Sequence, residues 1–305
     1  MLKSKHYNFC IFLLPHTPYP WHKQVMNYLT YILVRGLLGL FGLLPLHVAS
    51  AIGGVLAQLI GPFTKRHDIA HKNMELIYPD QTQEWRNTNV SKMWNHLGRV
   101  FAELPALKSG ELLAGVEEAI GKEHLNAGAQ VIYVSAHLGQ WELLTPLAKD
   151  NGSGPITEMY RHINNQRIDA LLKNYRVEIY DQLIRKKGDN AIALVRALKQ
   201  GNSLALLIDQ RLTKGDQMAF LGVEAGTNTA AIKMSIKTGI PIAVASIVRE
   251  QGVNFKGEVH APIYPPESGS DEEKAASMSR QVFDLIEQKI RAHPDQYMWT
   301  HDRWK

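Results

Sequence analysis

The hydrophobic positions divide the chain into an apolar N-terminal region and a longer region of alternating elements. Residues 28–46 are apolar except for Thr30, Arg35 and three glycines, and the leucines at 33, 37, 40 and 44 recur at helical spacing. A second apolar stretch, residues 48–63, is rich in glycine and alanine. From about residue 66 the pattern becomes that of a soluble α/β protein.

Helical and strand patterns alternate over this longer region. Helices are predicted over residues 85–107, over residues 190–199 with a stop at Gly201, up to residue 238 with a stop at Gly239, and over residues 275–292 after the polar loop 265–273. Short apolar runs at residues 131–134, 204–208 and 241–248 predict buried strands. Such alternation is typical of an α/β fold with a mainly parallel central sheet flanked by helices.

The first apolar region has nearly the length of about 20 residues that a membrane-spanning helix needs. Arg35 opposes insertion by roughly 2.5–3.5 kcal/mol, whereas eleven Leu, Ile, Val and Phe residues each favour it by about 0.3–0.6 kcal/mol. Spanning the bilayer and lying in its interface are therefore both open, and two buried helices of a soluble protein are a third interpretation. Basic residues on both flanks favour the membrane. We expect a membrane-associating segment over residues 1–64 and a folded domain over residues 65–305.

Composition and charge narrow the class of protein. The single cysteine, Cys10, excludes a disulfide framework and a cysteine-rich zinc module. The net charge of +5 includes two basic clusters, Lys65, Arg66, His67, His71 and Lys72, and Lys173, Arg176, Arg185, Lys186 and Lys187. Such clusters suit anionic lipid headgroups or phosphorylated substrates. Nucleic acid is less favoured, because neither zinc-finger spacing nor an aromatic RNA-binding signature is present.

The N-terminal pattern does not predict a cleaved signal peptide. The apolar stretch at residues 9–14 is shorter than the core of a cleaved signal peptide, and prolines 15, 18 and 20 interrupt the chain directly after it. The positive residues at 65, 66 and 72 predict that the folded domain faces the cytoplasm.

Polar side chains come after two of the predicted strands. His137 comes soon after the first strand, and Asp209 directly after the second. In parallel α/β sheets, ligands bind at the carboxyl ends of the strands. This placement favours a functional role for His137.

Glu142 lies five residues after His137. On a continuous helix the two side chains would not face one another. In a strand–turn–helix, however, Glu142 falls in the first helical turn, and its carboxylate can reach the imidazole. That pair would form a charge relay in which the imidazole accepts a proton from an alcohol. Spacing alone leaves a purely structural histidine as an equal alternative, and a zinc site is less favoured because no third ligand is evident.

Several catalytic motifs are absent. The sequence contains neither a G-x-S-x-G nucleophile elbow nor a Walker A loop, and no G-x-G-x-x-G comes after the first strand. A base without a protein nucleophile indicates that the substrate's own hydroxyl attacks.

The run from His137 to Leu143 resembles the H-x-x-x-x-[DE] block of the glycerolipid acyltransferase superfamily, and more narrowly the lipid A biosynthesis lauroyl/myristoyl acyltransferases. Further blocks resemble that family in order and spacing: Tyr160-Arg161 with Asn164, residues 196–201 leading to Asp209-Gln210, Phe220-Leu221-Gly222 with Thr227 and Thr229, residues 239–241, and the ending at residues 297–305. Gln140 departs from the family, in which asparagine is commonest at that position.

The resemblance implies a reaction and roles for individual residues. A fatty acyl chain would pass from acyl carrier protein or coenzyme A to a hydroxyl of a phosphorylated lipid at the inner membrane, without a cofactor. His137 would be the general base, and Glu142 would orient it. The resemblance assigns substrate binding to Arg161, Arg185, Asp209 and Gln210, with the arginines on phosphate or developing negative charge.

Two other functions remain open from the sequence. The first is an acyltransferase of the same fold with another glycolipid or an aminolipid as acceptor. The second is a non-catalytic membrane protein that binds anionic lipid.

Overall fold

A central seven-stranded sheet carries helices on both of its faces. The computed structural model describes residues 20–124, 129–160, 163–176, 181–185 and 191–305. The α-helices in this part of the chain are α1 (Pro20–Leu43), α2 (Leu46–Ile60), α3 (Lys65–Ile77), α4 (Gln83–Glu103), α5 (Glu111–Ala114), α6 (Leu144–Asp150), α7 (Gln166–Arg176), α8 (Ala191–Lys199), α9 (Ala230–Thr238) and α10 (Asp271–Ala292). The strands are β1 (Val116–Ile120), β2 (Ile132–Ser135), β3 (Ile156–Tyr160), β4 (Gln182–Arg185), β5 (Ser203–Leu207), β6 (Asp216–Phe220), β7 (Val223–Thr227), β8 (Ile242–Gln251) and β9 (Asn254–Val259).

The sheet is mainly parallel, as the alternation of elements predicts. Its order is β1-β9-β8-β2-β5-β3-β4. Among the described strand pairs of this sheet, β8 and β9 are antiparallel and the others are parallel. Strands β6 and β7 form a separate antiparallel hairpin. Because β2, β5, β3 and β4 run in one direction, their carboxyl ends meet at the same edge of the sheet.

The larger core lies on one face of the sheet. Apolar residues of β2, β5 and β8 pack there against helices α3, α4, α8, α9 and α10 and against the C-terminal segment. Trp299 of the C-terminal segment is fully buried in this core. The other face carries α6 over a smaller cluster that includes Tyr133, Ala243 and Ala245.

The predicted elements are found at or near their predicted positions. Strands β2 and β5 match the apolar runs to within one residue, whereas β8 continues three residues beyond its predicted end at 248. Helix α9 stops at Gly239, which has φ of 75° and so adopts the left-handed conformation that glycine tolerates. Helix α10 begins four residues before its predicted start, because Ser270 and Glu273 form a capping box.

Helices α1 and α2 contain the two apolar regions. Residues 24–43 and 46–63 are each long and apolar enough to cross a membrane, and 11% and 33% of these stretches are buried inside the protein. Leu43 of α1 and Leu59 of α2 are 84% and 63% exposed, and the outer surfaces of both helices are apolar.

The inner face of α2 packs tightly along α4. A Cβ atom on Gly53 would lie 2.4 Å from the Cβ of Ala102 and 2.6 Å from the carbonyl oxygen of Gly98, so the two backbones touch. The hydroxyl of Ser50 also donates a 2.6 Å hydrogen bond to the carboxylate of Glu103. The boundary predicted between residues 64 and 65 therefore divides two helices that share one packed interface.

Candidate active site

The imidazole of His137 meets a carboxylate at the carboxyl edge of the sheet. Strands β2 and β5 pair with Ser135 opposite Leu207, which places His137 and Asp209 each two residues beyond the strand end. Nδ1 of His137 lies 2.8 Å from Oδ1 of Asp209. The Asp209 side chain is 1% exposed and the imidazole 20% exposed. The pair thus has a buried carboxylate and a ring that opens toward solvent.

The surroundings of Asp209 keep it ionised. Burial alone would raise the pKa of this carboxyl, but the neighbouring imidazole and hydrogen bonds from the side chain and backbone of His137 hold its pKa below the ordinary value. An ionised carboxylate only accepts hydrogen bonds, so Nδ1 of His137 carries the hydrogen. In the neutral form of the ring the lone pair is then on Nε2, where the side-chain amide of Gln210 lies 3.4 Å away.

Tyr297 closes the other side of Asp209. Its side chain is 2% exposed, and burial together with the negative charge of Asp209 raises the pKa of the phenol well above its ordinary value. The phenol consequently stays protonated and can donate to the carboxylate. Its position next to the site was not predicted from the sequence.

Glu142 has a different partner from the one predicted. Its carboxylate accepts from Nε of Arg176 at 2.9 Å and from a second guanidinium nitrogen, and the indole of Trp141 donates to it at 3.2 Å. The direct contact predicted between Glu142 and the imidazole was wrong, because the register of β2 and β5 delivers Asp209 to Nδ1 instead. Trp141 lies between the two, with its ring 5.5 Å from that of His137. A role for Glu142 in catalysis stays a prediction.

The loop that carries these residues, from His137 to Glu142, is fixed by its backbone. Gly139 has φ of 58°, and a Cβ atom there would lie 1.8 Å from the carbonyl oxygen of Ile247, so only glycine fits. The backbone N–H of Gln140 donates to the same oxygen at 2.8 Å. From the C-terminal segment, Met298 N–H donates to the carbonyl of His137 at 3.0 Å.

A buried polar network supports the loop from below. The Gln140 amide donates to Glu103 at 2.5 Å, and Arg249 binds the same carboxylate through two nitrogens at 2.7 and 2.8 Å. Glu103 is fully buried, so Arg249 and Gln140 provide the hydrogen bonds that its carboxylate cannot obtain from water. Sequence reasoning missed the network, although His96 and Glu103 interrupt the apolar face of α4 at helical spacing, a signal that could have revealed it.

His96 belongs to the same network, and its burial should make the free energy of unfolding depend on pH. Its ring lies 3.0 Å from the carbonyl oxygen of Gly139, and burial, aided by the nearby positive charges of Arg249 and Arg99, lowers its pKa to about 3. Between about pH 6.5 and pH 3, His96 is protonated in the unfolded chain but stays neutral in the folded protein. Stability should therefore fall as the pH decreases through this range, by roughly 1.4 kcal/mol per unit, and this loss is absent above pH 6.5.

The measurement is chemical unfolding of detergent-solubilised protein at pH 7 and pH 5. We expect His96→Gln, whose amide can still donate to Gly139, to reduce the drop in unfolding free energy between the two pH values by about 2 kcal/mol. The same substitution at exposed His47 controls for the loss of an imidazole in general. An equal drop in the wild type and in His96→Gln would contradict the prediction.

The other predicted site residues differ in how close they lie to the imidazole. Asp209 and Gln210 both lie against His137, whereas Arg161 lies outside the described residues. Arg185 ends β4 opposite Tyr160, the last residue of β3, and so lies at the same carboxyl edge as His137. Within the described parts of the chain, no three or more His, Cys, Asp or Glu side chains are grouped so as to hold a metal ion.

Known proteins resemble this chain over most of its length. The model of a family described as bacterial lipid A biosynthesis acyltransferase matches residues 17–305. The lipid A biosynthesis palmitoleoyltransferase of Escherichia coli strain K12 is 27% identical over 287 residues, which cover 88% of this chain and 89% of that protein. The lipid A biosynthesis lauroyltransferase of the same strain is 26% identical over 281 residues, with coverage of 88% and 89%.

One solved structure also resembles the chain. The 1-acyl-sn-glycerophosphate acyltransferase from Thermotoga maritima has a TM-score of 0.39 and 14% identity, and the match covers 78% of this chain and 97% of that chain.

Proposed function

The chain belongs to the bacterial lipid A biosynthesis acyltransferase family, and from this premise we propose the reaction that its site performs. A fatty acyl chain passes from an acyl carrier protein or coenzyme A thioester to a hydroxyl of a phosphorylated lipid A precursor. The observation that carries the proposal is the His137–Asp209 pair, in which Nδ1 faces a buried carboxylate and leaves Nε2 of the partly exposed imidazole to accept a proton from the substrate. Membership of the family makes the chain an O-acyltransferase of lipid A biosynthesis. The general base, the acyl donor and the acceptor are the parts that we propose.

The imidazole acts as the general base. The acceptor hydroxyl takes the place of the Gln210 amide at Nε2 and donates its proton there as its oxygen attacks the thioester carbonyl. Asp209 then stabilises the imidazolium that forms. When the tetrahedral intermediate collapses, the carbon–sulfur bond breaks, and the imidazolium returns the proton to the departing sulfur. The products are an ester and a thiol, and no residue of the protein is acylated.

The chain has candidate groups for both ends of such a substrate. A small cavity between the sheet and α6 borders on Trp141, which contacts His137, and its mainly apolar lining includes Tyr133, Leu144, Leu207 and Ala245. We propose that the acyl chain lies beside Trp141, at the entrance to this lining. We assign the acceptor phosphate to Arg161 and Arg185, because a guanidinium grips phosphate through two hydrogen bonds.

The apolar outer surfaces of α1 and α2 support a location at a membrane. We propose the cell inner membrane, with the catalytic domain facing the cytoplasm, since basic residues begin α3 directly after the second apolar helix. Because α2 packs along α4, its outer face is the one that would meet lipid.

Mass spectrometry of lipid A from cells that lack this protein tests the proposal. We expect lipid A to lose the mass of one secondary acyl chain, and expression of the wild-type chain to restore it. Lipid A of unchanged mass, together with a change in another glycolipid or in an aminolipid, would reject the acceptor that we propose.

A further inference from the structure

The ion pair between Glu142 and Arg176 connects the catalytic loop to a separate helix. The two side chains are 5% and 21% exposed, and the guanidinium contacts both carboxylate oxygens. A bidentate, charge-assisted pair of this kind fixes the orientation of both partners. Glu142 in turn accepts from the indole of Trp141, whose ring contacts the imidazole of His137. The position of Arg176 therefore affects the side of the loop that faces the substrate.

Arg176 is the last residue of α7, and the other end of α7 contacts α1. The amide of Asn165, just before the helix, donates to the carbonyl oxygen of Asn27 at 2.6 Å. The guanidinium of Arg167 lies over the ring of Tyr28, 5.2 Å from its centroid. Helix α7 thus extends from the apolar N-terminal helix to the catalytic loop.

The middle of α7 packs against both neighbours at once. Leu171, Leu172 and Tyr175 join an apolar cluster that also holds Leu38 of α1 and Leu143 of the turn after the loop. None of the described side chains of α7 is fully buried. A helix held only by partial contacts keeps its position through its neighbours rather than through a core of its own.

We propose that α7 is a positioning element that couples α1 to the catalytic loop through Arg176. When α1 lies against α7 as it does here, Arg176 holds Glu142, and Glu142 holds Trp141 beside His137. When α1 shifts, α7 shifts with it and the loop loses this support. The proposal rests on the acyl transfer proposed above. It predicts that kcat depends on the position of α1 relative to α7.

The first experiment asks whether Arg176 acts through Glu142 or binds the substrate's phosphate itself. The purified, detergent-solubilised enzyme is assayed with a phosphorylated acceptor and with the same acceptor after enzymatic dephosphorylation. We expect Arg176→Gln to lower kcat about 10- to 100-fold by the same factor on both acceptors, with little change in the acceptor KM. Arg176→Lys should recover only part of the loss, because an ammonium group cannot span two carboxylate oxygens. A defect confined to the phosphorylated acceptor, or an increase in KM alone, would overturn the proposal.

A double-mutant cycle provides a second readout of the same contact. Glu142→Gln, Arg176→Gln and the double variant are compared at equal folded fraction, measured by thermal unfolding. If Arg176 works through Glu142, adding Arg176→Gln to Glu142→Gln changes kcat less than about threefold. Effects that multiply in the double variant would show that the arginine acts independently.

The second experiment tests the far end of α7 with a matched pair of asparagines. Asn165→Asp removes the amide donor to α1 but keeps the oxygen that accepts from the N–H groups of Arg167 and Ile168, whereas Asn174→Asp makes the same change at an exposed position on the same helix. We expect Asn165→Asp to lower kcat about three- to tenfold and Asn174→Asp to leave it unchanged. Equal activity of the two variants would reject the coupling to α1. Inactive wild-type enzyme, or a fully active His137→Ala variant, would instead reject the proposed function.

Discussion

Replacing His137 by alanine is expected to lower kcat for acyl transfer by about 10²–10⁴-fold while the protein stays folded. The expectation comes from the role of Nε2, which is the acceptor for the hydroxyl proton in the proposed reaction. The imidazole is partly exposed and its Nδ1 contacts one carboxylate, so its removal opens little space in the core. The measurement is single-turnover acylation with purified enzyme, next to thermal unfolding of the same preparations.

A matched control is available at His47, which is exposed at the start of α2. His47→Ala should retain wild-type kcat in the same assay. A folded His137→Ala variant that transfers the acyl chain at the wild-type rate would eliminate His137 as the base, and with it the mechanism.

The Asp209→Asn substitution is expected to reduce kcat by at least about 10²-fold without changing the shape of the side chain. The amide can present its N–H₂ group to Nδ1, which favours the tautomer with the hydrogen on Nε2, where the substrate's proton should go. Asparagine also removes the negative charge that stabilises the imidazolium. Since both effects act in the transition state, we expect kcat to fall far more than the acceptor KM changes.

The same variant separates the observed pairing from the one predicted by local spacing. If Asp209 orients the imidazole, Asp209→Asn is more harmful than Glu142→Gln when both are corrected for folded fraction. A folded Asp209→Asn enzyme with wild-type kcat, or a clear reversal of that order, would reject the assignment of Asp209.

The strand ends of the site could be predicted because their signals are local. His137 and Asp209 come within a few residues of the apolar runs at 131–134 and 204–208. The pairing of these two residues could not be predicted, since it depends on β2 lying beside β5 with Ser135 opposite Leu207. Hydrophobic patterns do not contain the order of strands in a sheet, and a residue five positions away, Glu142, was the nearest candidate.

The outer strands escaped prediction for a different reason. Strands β1 and β9 lie beside β8 at one side of the sheet, and charged residues such as Glu118 and Lys256 occupy their exposed positions. Such strands lack the continuous apolar run of a strand buried on both faces. The reversal of β9 also depends on the tight turn at Gly252, which has φ of 57° and lies beyond the predicted end of the preceding strand.

The buried support of the loop illustrates a third limit. Glu103 and Arg249 are 146 residues apart, and each alone looks like an ordinary charged residue on a helix or strand. The two residues need each other because both side chains are buried, and an unpaired charge in the interior would be costly. Their burial results from the tertiary packing of α2, α4 and β8, which the sequence pattern does not contain.

The contact of Gly53 with Gly98 decides how a soluble version of this enzyme can be made. A truncated protein beginning at residue 65 would leave the α2-facing groove of α4 open to water and would remove the hydroxyl of Ser50 from the carboxylate of Glu103. Deletion is thus the wrong strategy for crystallisation or screening. Retaining α2 and replacing its outward residues Ile52, Val55 and Leu59, together with Phe63 just after the helix, with polar ones keeps the interface and removes the exposed apolar surface.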